Sequence, residues 1–102
     1  MSRTVFGWEI ECSLDVDAAL AALRDTEGFS WRIRENDTDG RYVSGRDARG
    51  VDVRVLGESR VREVEFRLPV TTPLPPAEAA ELPPRLLDQV LDRLGASVLR
   101  AD

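Results

Sequence analysis

The chain has 102 residues, 42% of them apolar, and 19 acidic against 14 basic side chains give a net charge of −5. That length suits one domain with one hydrophobic core, and no apolar run approaches the roughly 18 residues that a membrane-crossing helix needs. Cys12 is the only cysteine, which excludes an internal disulfide, and the polar N-terminus lacks the apolar centre of a signal peptide; a single cytoplasmic domain over 1–102 is therefore expected.

All fourteen basic residues are arginine, and histidine is absent. Arginine used to this exclusion is what a GC-rich, bacterial-like coding sequence produces. Without histidine the commonest general base is missing, and without lysine there is neither a Schiff base nor a P-loop lysine. One cysteine and no histidine cannot build a zinc site. A protein that is not an enzyme and holds no cofactor or metal is the expectation. Residues 32–67 hold nine arginines against eight acids, while both flanking segments are net acidic. No segment is a basic patch, so phosphate neutralisation on nucleic acid is not expected.

The first periodic segment puts Phe6, Trp8, Ile10, Cys12 and Leu14 on one parity and Glu9 and Glu11 on the other, which predicts a half-buried strand. The period then changes. After Asp15, a good N-cap, Val16, Ala19, Leu20 and Leu23 fall at helical spacing, predicting a helix over 16–26 that Gly28 closes. Phe29, Trp31 and Ile33 alternate with Ser30, Arg32 and Arg34 in a second strand. The run 35–40 reads as a hairpin turn. It also offers Glu35, Asp37, Asp39 and Gly40 at calcium-loop spacing, but Arg46 stands where that loop needs its bidentate glutamate. Three further strands follow, around Tyr42–Ser44, Val51–Val55 and Val64–Leu68, joined by turns at 47–50 and 57–60.

A proline-rich connection over 69–76 leads into a short helical piece. Pro83 and Pro84 remove two backbone donors, which predicts a break there. Leu86, Leu87, Val90, Leu91 and Leu94 then form the stripe of a second helix, with Gly95 as its cap. Residues 96–100 read as a short final strand.

The order β-α-β-β-β-β-α-β predicts an α+β fold of two layers, a mostly antiparallel sheet of five or six strands with the helices on its apolar face. The other face would carry Arg32, Arg34, Arg54, Glu63, Glu65 and Arg67 as a solvated lattice of cross-strand pairs. Glu9 and Glu11 would share one side of the first strand, where they could meet a cation, a basic partner, or Arg32 and Arg34 if the strands are neighbours. Trp8 and Trp31 are expected in one core cluster beneath the first helix; alternatively, one of them lines a cleft opened by the proline break. Tyr42 shares parity with Ser44 and Arg46 and is expected to face outward or to a margin, where an aromatic often anchors a contact. Glu9, Glu11, Arg32, Arg34, Tyr42, Arg54, Glu63, Glu65 and Arg67 are the candidate binding positions.

Together these features predict a small protein-interaction module that binds another protein or itself, of the immunity, antitoxin-type inhibitor or accessory-domain kind. The acidic balance suits basic partners, with neither membrane nor nucleic acid among them. The alternative is a small-ligand domain with an aromatic-lined pocket between the sheet and the C-terminal helix.

Overall fold

Alternating apolar and polar residues in six segments, and helical spacing in two, produce the element order that the sequence predicts. The computed structural model describes residues 4–26, 28–38, 40–69 and 75–101. Its elements are β1 (Thr4–Glu11), α1 (Val16–Leu23), β2 (Phe29–Asn36), β3 (Gly40–Asp47), β4 (Asp52–Leu56), β5 (Val61–Leu68), α2 (Pro76–Leu94) and β6 (Ser97–Ala101). The six strands form one sheet in the order β2-β3-β4-β5-β1-β6, every neighbouring pair antiparallel. Short turns make β2 to β5 a meander. β1 then pairs with β5, Phe6 opposite Phe66 and Trp8 opposite Val64, and β6 closes the far side of β1.

Both helices pack on one side. Val16, Ala19 and Leu23 of α1 and Leu86, Leu87, Val90 and Leu94 of α2 join Val43, Val53, Val55, Val64 and Phe66 of the sheet in one buried cluster. Each of the valine, leucine and phenylalanine side chains contributes about 1.5–3 kcal/mol when fully withdrawn from water. Among the described residues, no element lies over the other side.

The Asp15 carboxylate caps α1 by accepting from the Ala18 amide at 2.7 Å. The helix is three residues shorter than its spacing predicts. After Leu23 no apolar residue continues the buried stripe, and the Thr26 amide turns back to the Leu23 carbonyl.

α2 departs from expectation in the other direction, running unbroken through Pro83 and Pro84. Proline fixes φ near the helical value, so the path continues with two ladder bonds missing. The Pro83 ring is fully buried, which adds core contact where backbone bonds are lost. Gly95 ends α2 in the left-handed conformation at φ 61°, its amide reaching back to Asp92 and Leu91.

Trp8 and Trp31 both pack against the one core cluster, as the sequence predicts, but at separate places along it. Trp8 meets Phe66 edge-on at 5.5 Å, whereas Trp31 stacks at a tilt with Phe29 at 5.7 Å. β1 and β2 stand four strands apart in the sheet, roughly 19 Å at the usual inter-strand spacing. Trp31 instead lies across Gly45, its partner on β3. A Cβ on Gly45 would come 2.6 Å from the indole. Gly45→Ala should therefore destabilise the fold by about 1–3 kcal/mol through overpacking. Chemical denaturation should show the penalty shrinking in a Trp31→Ala background, because the obstructing ring is then gone.

Candidate functional site

The side of the sheet away from the helices is built by the strand period. Side chains at alternate positions point to it, and the pairing aligns them in rows. Ser30 stands opposite Arg46, Arg32 opposite Ser44 and Arg34 opposite Tyr42. Arg46 and Ser44 face Asp52 and Arg54 of β4. These in turn face Arg67 and Glu65 of β5, and Glu63 faces Glu9 of β1. The expected charged face is present, and its pairing is uneven.

Its centre is locked. Asp52 is only 2% exposed although no helix covers it. Its carboxylate has Arg54 at 3.4 Å, Arg46 at 4.0 Å and the Ser44 hydroxyl at 3.5 Å. A carboxylate so far withdrawn from water is tolerated because the two guanidinium groups beside it balance its charge. Arg54 also sets its guanidinium carbon 5.9 Å from the centre of the Tyr42 ring. Tyr42 is therefore not the outward anchor that its parity suggests: it is on the charged side but 4% exposed, beneath an arginine. On β5, Arg67 binds Glu65 of its own strand with two donors, at 2.8 and 3.1 Å.

The two ends differ from the centre. At the β1 end Glu9 pairs with Arg100 at 3.8 Å and Glu11 with Arg60 at 3.2 Å. Neither meets Arg32 or Arg34, since three strands separate β1 from β2. At the β2 end Arg32 and Arg34 are exposed. Their cross-strand neighbours are Ser44 and Tyr42, which offer no charge, and among the described residues neither arginine has an ion-pair partner. An open depression of about 550 Å³ adjoins them, lined among others by Ser30, Arg32, Arg34, Ser44, Arg46 and Asp52. The net charge of the chain is negative, yet the free charge on this face is positive.

One functional-looking cluster proves structural. Arg62 is 5% exposed and shares the helix-side parity of Val64 and Phe66. Its Nε donates to the Ser59 carbonyl at 2.7 Å, one Nη donates to the Leu14 carbonyl, and the other lies 3.8 Å from the Cys12 sulfur. Cys12 is buried as its parity implies, beneath an arginine that ties the β1–α1 connection to β5. Counting the parity of β5 back from Phe66 is the sequence signal that would have found it.

Glu35 and Asn36 end β2 and pair with Arg41 and Gly40 of β3, and the Asn36 side chain accepts from the Thr38 amide at 3.0 Å. Asp39 lies outside the described residues, and among those described no three His, Cys, Asp or Glu side chains gather as metal ligands would. Among the described residues no helix is long and apolar enough to cross a membrane.

Fold and face together define a two-layer α+β domain with one covered and one open sheet surface. No protein-family model matches the chain, and no curated protein is significantly similar to it.

If Asp52 holds the centre of the face together, Asp52→Ala should cost about 2 kcal/mol in urea denaturation, because it leaves clustered arginines without their acid. The deficit should shrink in high salt, which screens the exposed heads of those arginines.

Proposed function

We propose that this chain is a non-enzymatic protein-interaction module that engages its partner through the open, charged face of the sheet. The reading rests on one observation: among the described residues Arg32 and Arg34 are exposed and have no ion-pair partner, whereas Arg46, Arg54 and Arg67 of the same face each have an acid beside them. Unpaired arginines beside an open depression on a wide, flat surface suit a protein contact, in which arginine is enriched. Small-molecule sites are enclosed and mainly apolar. The depression here is open, with arginines and aspartates in its lining beside Trp31, and α2 runs unbroken through Pro83 and Pro84. The unpaired charge is cationic, so the contact draws on acidic groups in the partner despite the net charge of −5.

A partner captured by the wild-type chain, identified and purified, should bind R32E/R34E at least about tenfold more weakly. It should bind Arg85→Glu, altered on the solvent side of α2, with unchanged affinity. Equal binding to all three proteins, measured by titration calorimetry, contradicts the assignment of this face.

A further inference from the structure

β2 is an edge strand: among the described residues it pairs with β3 alone, and its outer backbone groups are open to a further strand. Its two sides differ in chemistry. Ser30, Arg32 and Arg34 point to the charged side and are exposed, while Phe29, Trp31 and Ile33 point to the helix side and are half-buried. A strand laid along this edge would place alternate side chains against Arg32 and Arg34, which have no ion-pair partner among the described residues, and the intervening ones beside Trp31 and Ile33. Arg46, more than half exposed on the neighbouring strand, adds a third cation behind them.

We propose that the β2 edge binds an extended acidic segment of a partner protein by strand addition, reading carboxylates at every second residue through Arg32 and Arg34 and apolar residues between them. This deepens the function proposed above and rests on it. Main-chain bonds supply the register in this mode and alternate side chains supply the choice of sequence. A second copy of this chain is the wrong occupant. Its other edge strand, β6, runs Ser97-Val98-Leu99-Arg100-Ala101 without an acid, and a second β2 would oppose arginine to arginine. The acids that do alternate, Glu9 and Glu11, lie in β1, which is paired on both sides.

The probe is a soluble peptide alternating glutamate and valine over about eight residues, titrated by fluorescence anisotropy against the full chain. Three comparisons accompany it: the same peptide with N-methyl groups on alternate amides, a peptide of the same composition with its glutamates consecutive, and inorganic pyrophosphate as competitor. The alternating peptide should bind, and N-methylation or the consecutive order should each weaken it at least about tenfold. R32Q/R34Q should lose binding by a similar factor while melting like the wild type. R32E/R34E should instead accept the corresponding arginine–valine peptide.

Absence of binding by the alternating peptide overturns the proposal. So does equal binding of the N-methylated peptide, or displacement by pyrophosphate at equal concentration, since either would mean general anion attraction without strand addition. A partner that is lost on R32E/R34E, with no peptide binding at the edge, would refute strand addition and leave the protein-binding face standing.

Discussion

Both helices lie on one side of the sheet, and the strand order is what requires it. α1 connects β1 to β2 and α2 connects β5 to β6; in the alternating sheet each of these pairs is parallel. Crossovers between parallel strands have one hand. The first runs from β1 toward the β2 edge, and the second runs from an oppositely directed strand toward the β6 edge. A half-turn about the sheet normal relates the two moves, so connections of the same hand put both helices on the same face. One layer is thereby covered twice and the other left in water, and the charged surface follows from the topology.

An open face would ordinarily be fully solvated, but at its centre this one is not. β4 has neighbours on both sides and its pattern shows burial on both of its faces. Asp52 can be withdrawn from water there because arginines from its own strand and from β3 stand beside it. A buried charge is tolerable only with such partners. The lattice runs out where the sheet does. β2 carries cations toward β3 positions occupied by serine and tyrosine, so Arg32 and Arg34 are left over while the arginines nearer the centre are engaged.

The strands, the two helices and the sidedness of the sheet were legible because period, caps and turns agree locally. The α2 break was not, since proline propensity argues against a helix that packing of Pro83 sustains. The candidate positions were legible as a face but not as a site. Arg32, Arg34, Arg54 and Arg67 share one parity pattern; Arg54 and Arg67 each have an acid two residues earlier on the same strand, and the strand order shows that no neighbouring strand supplies one to Arg32 or Arg34. Charge counted by segment hid the same fact, because the near-neutral stretch 32–67 folds with its unpaired cations at one end. Tyr42 was misplaced for a related reason: parity gives the side a residue faces, not what lies over it.

The central claim is that the arginine lattice is locked at its middle and open at β2. Hydrogen exchange at the arginine Nε–H groups, followed by nitrogen-15 NMR in the partner-free protein, tests this directly. Slow exchange at Arg54 and Arg62, whose Nε atoms are shielded from water or hydrogen-bonded to the backbone, with fast exchange at Arg32 and Arg34, is the predicted result. Protection of Arg32 and Arg34 equal to that of Arg54 would contradict it, because the β2 end of the face would then already be covered.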